Sequence, residues 1–163
     1  ALVDIDPQVK FNAVVSLGNM DKGLDVEWDK VIALFEQNDD LGLKQAALLT
    51  LATHKREEAV PFARSLIQSN EASLRYAAAM VLIYAKQNEA KPALEEILNL
   101  RYDVVAPNAL NGQQVESLKL NALDAIEKSE WVDVLNLVQR TEAEDSNVRV
   151  STKAKQVLNL LKK

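Results

Sequence analysis

His54 is the only histidine, so any histidine-based metal site or proton relay would have to be built around it. It stands beside Lys55-Arg56-Glu57-Glu58, with no companion imidazole and no cysteine anywhere in the chain. Disulfides, thiolate nucleophiles and zinc–thiolate centres are therefore excluded. A histidine metal site would need carboxylates alone as its other ligands, and a structural or surface role fits His54 better. Carboxylate pairs occur at Asp39-Asp40, Glu57-Glu58 and Glu95-Glu96, with a looser group at Glu142, Glu144 and Asp145. Adjacent helical residues point about 100° apart, so these neighbours do not converge on one substrate. Gly18, Gly23, Gly42 and Gly112 are isolated, so no glycine-rich phosphate loop is formed. The expectation is no catalytic residue, no metal and no cofactor.

What does recur is a frame of acid-x-x-aliphatic-base followed by a small residue. Its copies are Asp6–Lys10 with Ala13, Asp40–Lys44 with Ala47, Glu71–Arg75 with Ala78, Val115–Lys119 with Ala122, and Asp145–Arg149 with Thr152. The aliphatic anchors Val9, Leu43, Leu74, Leu118 and Val148 are 34, 31, 44 and 30 residues apart. Repeats of this length form stacked helical solenoids, each unit burying its apolar face on the next. The expected fold is an all-α, right-handed, two-layer solenoid of about four and a half repeats. Its second helices fall near 6–20, 40–54, 71–86, 114–128 and 146–162. First helices are expected over Trp28 to Gln37, Glu58 to Gln68, Ala90 to Leu100 and Glu130 to Arg140, from apolar residues three and four apart. Asp6 before Pro7 reads as N-cap plus first helical residue; Asp39 or Asp40, Asn70, and Asp145 or Ser146 can cap the equivalent helices.

Chain length suits one domain over 1–163, and 48% hydrophobic with 26% charged residues is a globular balance. The net charge of −5 argues against broad attraction to nucleic acid or anionic lipid. No run reaches the ~20 apolar residues of a membrane span. The absence of cysteine fits a reducing cytosol or an exported chain equally, and leaves the compartment open. No first helix precedes Asp6. That suggests a piece of a longer protein or an N-terminal half-repeat, and self-association through the N-terminal helix. The long step locates an insertion at 101–112, with Pro107 and Asn111-Gly112 as turn signals. It is either a functional loop or a packed connector.

The run Asp6, Val9, Lys10, Ala13, Leu17, Gly18 resembles a HEAT repeat, and more closely the bacterial HEAT-like repeats of phycobilin lyases; Leu51, Leu82 and Ile126 repeat its leucine position. The resemblance implies an acid–base ladder between neighbouring repeats, formed by Asp6, Asp40, Glu71 and Asp145 with Lys10, Lys44, Arg75 and Arg149. Val115 breaks it in the fourth copy, and Thr152 and Gln156 replace Ala and Leu in the fifth. It also implies a binding scaffold more readily than an enzyme. A bilin lyase or chaperone-like subunit, a DNA-binding repeat protein and a structural spacer are the alternatives.

Positions two, six and ten after each anchor point toward the face that the second helices share. They include Phe11, Val15, Gln45, Leu49, Tyr76, Met80, Tyr84, Leu120 and Asp124, too apolar for a solvated surface. Either they pack between helices or they line a concave groove for a protein or peptide, with Tyr76, Met80 and Tyr84 at its centre and Asn12, Gln45, Asn121 and Asp124 giving polar specificity. Trp28 and Trp131, at the starts of two first helices, read as core anchors.

Overall fold

The structure, a computed structural model, describes residues 6–20, 26–37, 39–54 and 57–163. Gly23 and Lys55-Arg56 lie outside them. Among the described residues there are nine α-helices, two 3-10 turns and no strand: α1 Pro7–Gly18, α2 Trp28–Gln37, α3 Leu41–Thr53, α4 Ala59–Leu66, α5 Ala72–Tyr84, α6 Lys91–Leu98, α7 Gly112–Ser129, α8 Leu135–Glu144 and α9 Val148–Leu161. The expected helix over 130–140 begins later. Glu130 adopts the left-handed conformation that ends α7, and a 3-10 turn at Val132–Val134 precedes α8.

The chain divides into two units, Ala1–Val81 and Leu82–Lys163. In the first, second helices α1 and α3 lie side by side, and α3 also packs on α2 and α4. Val14, Val31, Leu43, Leu48 and Leu51 are closed to solvent, and the rings of Phe35 and Phe62 stack at 4.1 Å. Thr50 Oγ1 donates to the Val14 carbonyl at 3.0 Å, and a Cβ on Gly18 would stand 3.1 Å from that same hydroxyl. A small residue at 18 therefore lets α1 approach α3 closely. His54 caps the end of α3; its Nε2 lies 2.8 Å from the Leu17 carbonyl, and its ring meets Trp28 at 4.8 Å. Both observations place the lone histidine in a structural joint.

In the second unit α7 and α9 pack together, α6 contacts α7 and α8, and α8 packs along α9. Leu94, Ile97, Leu123, Ile126, Val134, Val138 and Val157 form its fully buried centre, with Trp131 2% exposed. Each of Val, Leu and Ile so buried contributes on the order of 1.5–3 kcal/mol relative to exposure.

Helix burial corrects the register of the last repeat. Val148, expected as its aliphatic anchor, is 77% exposed, whereas Val150, Ala154 and Leu158 are buried. Those three occupy the places of Leu43, Ala47 and Leu51 in α3. The fifth copy therefore keeps the small residue and the leucine, and Thr152 and Gln156 fall between them. The cause lies at the helix start. Asn147, not Asp145 or Ser146, caps α9, accepting from the Arg149 and Val150 amides. Val9, the anchor of the first copy, is also exposed, while Leu118 is half-buried. The insertion ends in an additional turn of α7. Asn111 and Gln114 exchange side-chain and backbone hydrogen bonds in a capping box, and the helix starts ahead of the repeat frame. Val115 then lies inside the helix and is buried, which explains why no acid stands there.

Candidate binding surfaces

On the first unit, Phe11 and Val15 stand one turn apart on α1 and are 37% and 40% exposed; Gln45 and Leu49 stand likewise on α3, with Leu49 41% exposed. A Cβ at Gly42 would touch the Phe11 ring at 4.0 Å, and Gly18 approaches Thr50, so the two helices run parallel in near register. Leu41, 44% exposed, continues the α3 stripe by one turn. Asn12 is exposed and accepts from Gln8 Nε2 at 3.1 Å, while Gln45 is half-buried. Aliphatic and aromatic surface with amide neighbours can contribute hydrophobic contact and hydrogen bonds, but no proton-transfer chemistry.

The expected aromatic centre is not assembled on the surface. Tyr76 is only 7% exposed, with the Arg75 guanidinium 5.7 Å from its ring centroid. Helix α5 is apolar on all sides, with Leu74, Ala77, Ala78, Ala79, Val81, Leu82 and Ile83 all buried, so the position two after the anchor is packed. Met80 is half-buried. Tyr84, in the second unit, is 51% exposed.

The corresponding face of the second unit is ionic. Asp124 accepts from Lys128 at 2.6 Å and lies 3.6 Å from Lys153, which also pairs with Glu127. The Lys128 hydrogen bond holds the Asp124 carboxyl below the usual aspartate range; Asp124 and then Tyr84 hold Lys128 above the usual lysine range. Leu120 is half-buried and Asn121 exposed.

The expected ladder residues have the following partners. Asp6 and Asp40 cap α1 and α3, accepting from the Gln8 amide at 2.8 Å and the Leu43 amide at 2.7 Å. Arg75 donates to the Ser69 and Asn70 carbonyls, and the Glu71 carbonyl accepts from the Arg75 amide. Lys10 and Lys44 are half-buried. Arg149 pairs with Glu116 of the preceding copy. Asp145 pairs with Lys119 at 2.7 Å, their side chains 3% and 4% exposed.

Sequence reasoning missed the surroundings of that pair. Tyr102 donates its hydroxyl to Asp145 Oδ1 at 2.7 Å, and Lys119 Nζ lies 4.4 Å from the Tyr102 ring centroid. Asp145 Oδ1 also accepts from the Asn147 amide, and Asn147 Nδ2 donates to Glu116. Burial first, then the hydrogen bond to Asp145, then the charges of Asp145 and Glu116 push the Tyr102 phenol well above the usual tyrosine range. These groups border an open cleft of about 510 Å³, lined by the Leu98–Asp103 segment, Lys119, Arg140, Thr141 and Glu144–Ser146. Its charges balance: Arg101, Lys119 and Arg140 against Asp103, Glu144 and Asp145. The available signal was Lys119, a base whose own copy of the frame carries Val115 where the acid belongs.

Among the described residues no cluster of His, Asp and Glu is arranged to hold a metal ion, and no helix is long and apolar enough to cross a membrane. Helices packed in pairs, with a small residue and a leucine or isoleucine buried at the same places of successive second helices, define a helical repeat protein. A family model described as HEAT repeats matches residues 28–111, just over half of the chain. The chain belongs to the HEAT-repeat family, with an α-solenoid fold. No curated protein and no solved structure matches it. HEAT repeats commonly mediate protein–protein interactions, and proteins built from them are typically non-enzymatic scaffolds.

Proposed function

We propose that this chain is a protein-binding scaffold with no catalysis of its own, and that α1 and α3 supply the contact. The observation that carries this reading is the exposure of Phe11, Val15 and Leu49 on adjacent parallel helices. About two-fifths of each side chain is open, so covering it contributes on the order of 1 kcal/mol apiece. An amphipathic helix or extended segment laid along the stripe would cover them together, with Asn12 and Gln45 setting its register. On the second unit the face around Asp124 and Tyr84 is polar by itself, and charge there selects partners more than it tightens them. The second-unit face does not attract nucleic acid strongly, because its cations Lys128 and Lys153 are already held by carboxylates.

The test compares the native chain with a Val15→Asp/Leu49→Asp variant as bait in extract, followed by titration of the purified captured protein. Circular dichroism establishes that the variant keeps its helices. Retained helices with affinity at least about tenfold weaker support the reading, since a buried unpaired carboxylate replaces apolar contact. Unchanged affinity in a folded variant overturns it.

A further inference from the structure

The segment between α6 and α7 is pinched at its base. A Cβ on Gly112 would stand 3.2 Å from the Tyr102 carbonyl oxygen and 3.9 Å from Tyr102 Cβ. The residues between them, 103–111, therefore leave and re-enter at one place, which is the construction of an Ω-loop. The Ala109 amide bonds to the Ala106 carbonyl, and Asn108 takes a positive φ of 63° to turn the chain. Val104 to Leu110 carries no charge, and Val105 is 99% exposed. So little of the loop is buried that its order must come from its base.

That base is tied to a distant segment by Tyr102. Its hydroxyl reaches Asp145, 43 residues on, in the turn between α8 and α9. The same carboxylate takes Lys119 on α7 with Oδ2 and the Asn147 amide with Oδ1. One buried acid thus joins the loop, α7 and the residue that caps α9. Both segments that it joins, Leu98–Asp103 and Glu144–Ser146, line the cleft.

We propose that Tyr102 is a latch that couples the loop at 103–111 to the turn at 145–147, so that these two segments beside the cleft loosen and close together. With the latch closed, the Tyr102 ring covers the Lys119 ammonium. With it open, Lys119 and Asp145 become the uncovered floor of a wider cleft, and the loop loses its only tie across it among the hydrogen bonds described. Asp145 keeps Lys119 in both states, so α7 and α9 remain packed while the latch moves, but its Oδ1, freed of the Tyr102 hydroxyl, holds the Asn147 amide less firmly when the latch is open.

Amide hydrogen exchange on the full chain tests this, comparing native protein with Tyr102→Phe. Phenylalanine retains the ring over Lys119 and removes only the hydroxyl. Loss of one hydrogen bond to a buried carboxylate should raise local opening about tenfold or more. The expected result is faster exchange at Ala109 and at Asn147 together, with the interiors of α7 and α9 unchanged. Arg101→Ala, which removes the neighbouring surface pair with Asp103, should leave Asn147 as in the native chain. Unchanged exchange in Tyr102→Phe overturns the proposal. So does acceleration at Ala109 alone, uniform acceleration across 82–163, or an equal effect of Arg101→Ala at Asn147.

Discussion

Lys119 Nζ lies 2.7 Å from Asp145 Oδ2, and both side chains are almost wholly withdrawn from solvent. Such a pair need not stabilise the fold more than apolar residues would, because desolvation offsets much of the Coulomb attraction. Removing one member is a different matter. Lys119→Met should destabilise the chain by about 3–5 kcal/mol, since it strands a buried carboxylate. Lys119→Met/Asp145→Asn should lose less, because the amide is uncharged and its oxygen can still accept from Tyr102 and the Asn147 amide. Urea denaturation of both variants checks the order; a double variant as unstable as the single one would contradict the account.

The phenol above that pair predicts a pH dependence. Tyr102 is held protonated in the folded chain beyond the point, near pH 10, at which an unfolded tyrosine ionises. Its contribution is therefore complete below about pH 10 and falls as pH rises, because the unfolded state releases its proton first. Denaturation at about pH 8 and about pH 10.5 should show a larger loss for the native chain than for Tyr102→Phe. Equal losses would mean that the hydroxyl is not held as described.

Much of the fold was legible in the repeat because the pattern states local requirements. Leu43, Ala47 and Leu51 are what one helix face needs to pack, and the same holds at Leu74, Ala78 and Leu82; all six are buried. The slip at Asp145 shows where such reading ends. Residues 145–149 fit the acid-x-x-aliphatic-base frame, yet the acid is drawn away from capping by Tyr102 and Lys119, 43 and 26 residues earlier in the chain. No local window contains that tie. Tyr76 failed for a related reason: an apolar residue on a shared helix face reads the same whether it is open or covered. The stripe of Phe11, Val15 and Leu49 was legible as residues, but only the structure gave their exposure.

Glu130 offers a test of the helix boundary that sequence placed wrongly. It ends α7 with φ 53° and ψ 46°, a left-handed conformation that costs a side-chain-bearing residue about 1 kcal/mol or more. Glu130→Gly should raise stability by about 1 kcal/mol, less the added freedom of glycine in the unfolded chain. A shift of thermal midpoint to higher temperature is the expected reading; a clear loss would show that the Glu130 side chain has a role beyond the turn.

Leu49 is where binding through α1 and α3 is tested most directly. A photoreactive benzoylphenylalanine placed there should form one discrete covalent adduct with a protein partner in extract. That adduct should disappear when Phe11→Asp is added on the adjoining helix. The same group at Glu36, exposed on α2 away from the stripe, should give no such adduct. No adduct at position 49, or the same adduct at both positions, would contradict a scaffold that binds through α1 and α3.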